Sequence, residues 1–188
     1  MLAPMAKWIP ARADTLEALA REILHNYSRG RALVAVDGID GADTVRFAND
    51  LANALRALGS QVARASMDGF LRAGPDRSTR GGDSVEVHYR DSFDYDEFRR
   101  VLAHPFRSGE PSEQEQMVPA DAILLVDGVF LNRPELAGLW NYSIWLDPAP
   151  GLAANGPYEA EAHPRAAAVA IIDNTDPEHP RRVFADAC

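Results

Sequence analysis

The sequence predicts an α/β domain built on a central parallel sheet. Two observations carry that expectation. Short apolar runs of strand length alternate with segments whose apolar residues recur at helical spacing. Such runs, apolar on both sides, suit strands covered by helices on both faces, and strand–helix alternation is the mark of a doubly wound sheet. The second observation is that the runs lead into carboxylates, at Asp37, Asp68, Asp127 and Asp147. These would share the carboxyl edge of the sheet, where open α/β sheets bind their ligands.

The elements follow in order. Leu16, Leu19, Ala20, Ile23 and Leu24 predict a helix over 14–27, with Asp14 and Glu17 offering a capping box. A strand at 32–37 holds Leu33-Val34-Ala35-Val36 and meets Asp37-Gly38. A helix over 44–58 follows, with Ala48, Leu51, Leu55 and Leu58 on one face and Gly59 as its stop. A second strand at 62–66 delivers Met67-Asp68-Gly69-Phe70. Residues 71–91 then read as a long polar loop. Asp94 and Glu97 cap a helix carrying Phe98, Val101 and Leu102. Strands at 122–127, 142–147 and 167–172 complete the sheet, with a short helix over 134–140. Segments 72–86, 109–119 and 149–157, polar or rich in Gly and Pro, are expected to be the most mobile.

The whole chain, 1–188, reads as one domain. Its 46% hydrophobic and 25% charged residues are those of an ordinary globular protein. The net charge of -9 argues against nucleic acid or anionic membrane as partners. A lone cysteine, Cys188, excludes a disulfide within the chain and a cysteine zinc site. His25, His104, His163 and His179 show no metal-ligand spacing and read as surface or packing residues. Residues 1–10 lack the apolar core of a secretory signal, and no apolar run approaches the ~20 residues of a membrane span. The expected location is the cytoplasm, the expected partner a small molecule. Oligomeric state is not legible.

Val34-Ala35-Val36-Asp37-Gly38-Ile39-Asp40-Gly41 resembles the approach to the Walker A loop of the uridine kinase family, within the phosphoribulokinase, uridine kinase and pantothenate kinase group. That resemblance implies a P-loop kinase-type three-layer sandwich, with ATP and magnesium as cofactors. Gly38, Asp40, Gly41, Ala42, Asp43, Thr44 and Val45 would form the phosphate loop. The pattern G-x-x-x-x-G-K-[ST] calls for Gly, Lys and Ser or Thr at 43, 44 and 45, where this chain has Asp43, Thr44 and Val45. The strand before the loop and Phe47-Ala48 with Leu51-Ala52 after it hold the register. A one-residue shift would turn the helix face by about 100°. Two unit charges 4 Å apart interact by ~4 kcal/mol at an effective dielectric near 20. Losing the lysine and gaining an acid therefore disfavours ATP by several kcal/mol, against ~0.3–1 kcal/mol for a bare helix dipole.

Further motifs extend the resemblance over roughly 14–148 and 157–180. Ser66-Met67-Asp68-Gly69-Phe70 is similar to the family's second-strand motif, which implies Asp68 as the base toward a substrate hydroxyl. Leu125-Val126-Asp127-Gly128 resembles its Walker B-like strand, with Asp127 orienting magnesium through water. The acceptor would meet Asp37, Phe70, His88, Tyr89 and Arg90, and Asn174 would lie beside the adenine. His88 stands about where assigned uridine kinases carry an Asp for the ribose hydroxyls, which argues against uridine as the ligand. The family's arginine-rich lid is expected after Asp147-Pro148, yet 149–157 contains no Arg.

Three functions remain open on these residues. One is a kinase relative with weakened or lost ATP binding and catalysis. Another is an active small-molecule kinase with a non-standard phosphate site. The third is a module binding an unrelated metabolite at the strand edge.

Overall fold

Six strands and seven short to medium helices are present in the computed structural model, which describes residues 9–72, 85–110, 119–149, 151–152 and 156–184. The strands are β1 Arg31–Gly38, β2 Gln61–Ser66, β3 Ala122–Val129, β4 Tyr142–Asp147, β5 Ala170–Asp173 and β6 Arg181–Val183. They form one sheet in the order β2-β3-β1-β4-β5-β6, parallel except for the antiparallel β6. β1 sits centrally, paired with β3 from Arg31↔Ala122 to Gly38↔Val129 and with β4 on its other side. Its residues from Ala32 to Gly38 are all buried, as the apolar run requires.

The helices are α1 Arg12–Asn26, α2 Thr44–Ala57, α3 Val85–Asp91, α4 Tyr95–Phe98, α5 His104–Ser108, α6 Gly156–Ala162 and α7 Pro164–Ala167. Phe47, Ala48, Leu51 and Leu55 of α2 are fully buried, and α2 packs on β1, β2 and β3. α1 packs on α2 through its buried face of Leu16, Leu19, Ala20 and Ile23. Among the described residues no helix is long and apolar enough to cross a membrane.

Several elements differ from expectation. Asp14 sits inside the first turn of α1, where its Oδ2 accepts the Ala11 N–H at 3.0 Å, while Glu17 pairs with Arg21 one turn on. The helix expected at 134–140 is a single 3₁₀ turn, Pro134–Leu136. β5 starts at Ala170 and not at 167, because Pro164 opens α7, and proline's fixed φ suits a first helical turn. The polar stretch expected to be all loop ends in α3. Asp94 does cap α4, accepting the Glu97 N–H at 2.9 Å. Beyond Phe98 the chain passes through a π-helical turn, Arg99–Ala103, into α5. The expectations of mobility at 72–86, 109–119 and 149–157 fall mostly outside the described residues.

Candidate functional site

The loop between β1 and α2 is tight. Ala42 donates its N–H to the Ile39 carbonyl at 3.0 Å, and Gly41 takes φ +84. Gly38 is required sterically: a Cβ there would lie 2.8 Å from the Ala42 Cβ and 3.1 Å from the Thr44 Cγ2. Ala42 and Thr44 are thus folded inward and buried, whereas Val45 is 50% exposed. Asp43 precedes α2 in the left-handed region, at φ 61 and ψ 37, and its side chain caps nothing. The cation one turn on, Arg46, stands 4.0 Å from the Asp43 carboxylate and binds Glu178 at 2.7 Å. Asn174, just beyond β5, donates Nδ2 to the Ala42 carbonyl at 3.2 Å, and its own N–H meets the Asp147 carbonyl. Leu152 lies against Gly41 from outside. Asn174 therefore supports the loop backbone.

Asp37, next to last in β1, is fully enclosed. Its carboxyl accepts from the Gly38, Leu131 and Asn132 backbone N–H groups at 2.9, 3.2 and 3.0 Å. Asn132 Nδ2 adds a bond at 2.8 Å, and the Tyr158 hydroxyl adds another. Burial pushes the Asp37 pKa up to about 6, with the hydrogen bonds from Tyr158, Leu131 and Asn132 opposing it. Five donors from three segments of the chain thus meet on the Asp37 carboxyl.

Asp127 is buried in β3, and its Oδ1 is ion-paired to the Arg64 guanidinium from β2. Burial raises the Asp127 pKa while Arg64 lowers it. Burial in turn lowers that of Arg64, which Asp127 offsets. Asp68 is exposed in the 3₁₀ turn Met67–Phe70 and is near enough for its charge to act on Asp127. Gly128 makes this possible. A Cβ at Gly128 would stand 2.6 Å from the Met67 Cβ, so only a glycine lets the turn seat on β3.

Of the residues expected to meet an acceptor, His88, Tyr89 and Arg90 lie together on α3. His88 Nε2 lies 3.1 Å from Asp40 Oδ2, and its Nδ1 lies 2.8 Å from Ser92 Oγ, which ties α3 to the loop. Tyr89 is buried, and its hydroxyl donates to Glu161 of α6 at 3.2 Å. Burial pushes the Tyr89 pKa up to about 12, against the pull of Arg133. Arg90 holds Glu161 at 2.6 Å and Glu86 at 2.9 Å. Phe70 packs edge-on against Phe98. Tyr89, Phe130 and Tyr158, all fully buried, stack with ring centroids 5.1–5.4 Å apart. A cleft of about 310 Å³ lies at the opposite, amino edge of the strands, between Tyr27, Leu58, Gln61 and Asp121.

Sequence reasoning had missed Tyr158, Asn132, Arg64 and Arg133. Arg133 is buried between the Tyr89 and Tyr95 rings, 4.7 and 4.3 Å from their centroids, and pairs with Glu135. Arg64 did carry a signal, as a cation inside the strand run Val62-Ala63-Arg64-Ala65-Ser66. Asn132 and Arg133 lie between the expected strand at 122–127 and the expected helix at 134–140, and Tyr158 just after the expected mobile segment 149–157.

The magnesium ion that the resemblance implies does not suit these residues. Magnesium takes oxygen ligands at near-octahedral geometry. Val45 brings no oxygen, and Asp127 presents Oδ1 to Arg64. Among the described residues no three His, Cys, Asp or Glu side chains converge to hold a metal.

No family model matches the chain, and no curated protein matches it either. Solved structures do. A possible uridine kinase from Bacillus stearothermophilus superimposes with a TM-score of 0.69 at 19% identity, covering 84% of this chain and 97% of that one. A candidate fructose transport system kinase from Silicibacter sp. TM1040 gives 0.59 at 23% identity, covering 81% and 92%. The mostly parallel sheet and its flanking helices are those of a P-loop kinase-like fold.

Proposed function

We propose that this chain is a uridine kinase-like P-loop protein in which ATP binding, and phosphoryl transfer to a small-molecule hydroxyl, are weakened or lost. One observation carries the reading. Where a phosphate loop places glycine, lysine and a hydroxyl, this loop has a left-handed Asp43, a buried Thr44 and a half-exposed Val45. Phosphoryl transfer depends on charge placed around the phosphates in advance, with little covalent work for the protein. An acid at the helix N-terminus opposes that charge, and the neighbouring Arg46 is engaged by Glu178.

Elsewhere along the edge one family feature is kept and others are not. Asp68 remains exposed and would suit a base toward a hydroxyl. Asp37 is satisfied internally, and the acceptor side is filled by Tyr89, Phe130 and Tyr158. Isothermal titration with Mg-ATP tests the proposal. The expected result is no saturable heat below millimolar nucleotide. Micromolar binding would overturn it.

A further inference from the structure

The register of β2 and β3 brings Arg64 to Asp127. Side chains alternate along a strand, so Arg64 and Ser66 project from the same face of β2. Ser66 lies opposite Asp127 in the parallel register, and Arg64 lies opposite Leu125. Arg64 is thus the diagonal neighbour of Asp127, within reach of a long side chain. Its Nη2 takes Asp127 Oδ1, and the two side chains are 19% and 1% exposed.

We infer that Arg64 takes the electrostatic place of a divalent cation at Asp127, so that this edge works without a metal. The inference rests on the preceding reading only in taking Asp127 as the family's metal-orienting position. A guanidinium stays charged at any working pH and is tethered beside the carboxylate, so it competes at high local concentration with any ion from solution. A divalent ion within a few ångströms of it would also meet charge of its own sign.

Around the pair, the Ser66 hydroxyl also bonds to the Asp127 carboxyl. Asp127 Oδ2 and Arg64 Nε and Nη1 are buried without a hydrogen-bond partner. Removing the guanidinium would free Asp127 Oδ1, beside the Ser66 hydroxyl and within electrostatic range of Asp68. One or two carboxylates completed by water is a donor set that magnesium or manganese accepts.

The experiment is manganese titration without nucleotide, read from the electron paramagnetic resonance signal of free Mn²⁺. The parent should show no saturable site at millimolar Mn²⁺. Arg64→Met should bind at least about tenfold more tightly. Arg64→Lys keeps the charge and should behave as the parent, and Asp127→Asn added to Arg64→Met should abolish the gain. If Arg64→Met is unstable because it leaves a buried carboxylate unpaired, Mn²⁺ should raise its melting temperature and leave the parent's unchanged. Equal affinity in parent and Arg64→Met, a gain that survives Asp127→Asn, or an unstable Arg64→Met that Mn²⁺ does not rescue would each overturn the inference. Because nucleotide is absent, those outcomes leave the loop argument untouched. Micromolar Mg-ATP binding by the parent would conversely sink the loop argument alone.

Discussion

The Tyr158 hydroxyl donates to the buried carboxyl of Asp37, joining α6 to the end of the central strand across 121 residues of sequence. The same hydroxyl accepts the Asn132 N–H at 2.9 Å, so the bond also closes the turn after β3. Glu161, one turn further along α6, is held by Tyr89 and Arg90 of α3. α6 is therefore pinned down on the sheet edge.

Tyr158→Phe should destabilise the protein more at high pH than at low pH. Asp37 has a folded pKa of about 6 against an ordinary 3.8. Its contribution is thus fully present below about pH 4 and is lost as pH rises through about 6, a swing of ~3 kcal/mol. Removing the Tyr158 donor raises the folded value further. The loss should reach about 1.5–3 kcal/mol near pH 8, where the carboxylate needs the bond, and be smaller near pH 5. Urea unfolding at both pH values checks this, and an equal loss at both would contradict it.

At position 43 glycine should prove more stabilising than alanine, the reverse of their order inside a helix. Both remove the same charge, but φ 61 strains any residue with a Cβ. The expected difference is ~1 kcal/mol in favour of Asp43→Gly over Asp43→Ala. Thermal denaturation of the pair decides it.

Restoring the standard loop should restore nucleotide affinity. Asp43→Gly with Thr44→Lys and Val45→Thr removes a repulsion and supplies the phosphate and magnesium ligands. Affinity for Mg-ATP should rise by about a hundredfold or more, from the several kcal/mol of charge involved. Turnover should stay low, because Arg64 still holds Asp127 and 149–157 supplies no arginine. Calorimetry of parent and variant in one buffer is the check, and equal binding would acquit the loop.

Gly128→Ala should cost about 1–3 kcal/mol, the usual penalty of overpacking a closed contact. The added Cβ would meet fully buried Met67, which cannot swing out to solvent. The Met67–Phe70 turn must shift, carrying Asp68 with it. A melting curve of the variant measures the cost, and an unchanged midpoint would show that the turn yields freely.

The five parallel strands and the long helices α1 and α2 were legible in the sequence. An apolar run such as Leu33-Val34-Ala35-Val36 can only be satisfied by burial on both faces, and the spacing of Phe47, Ala48, Leu51 and Leu55 can only be satisfied on one side of a helix. β6 was not legible, since Arg181-Arg182-Val183 has no apolar pattern and is held by pairing with β5. The loop's composition and its departure at Asp43, Thr44 and Val45 were plain from the residues. The burial of Thr44, the exposure of Val45 and the left-handed backbone at Asp43 came from how α2 seats against β1. The partners of the edge carboxylates were settled by tertiary structure alone. Asn132 reaches Asp37 across 95 residues, and Arg64 reaches Asp127 across 63. Periodicity reports whether a residue is buried, one position at a time. Which distant donor then satisfies a buried charge depends on strand order and register, and these exist only once the chain has closed on itself.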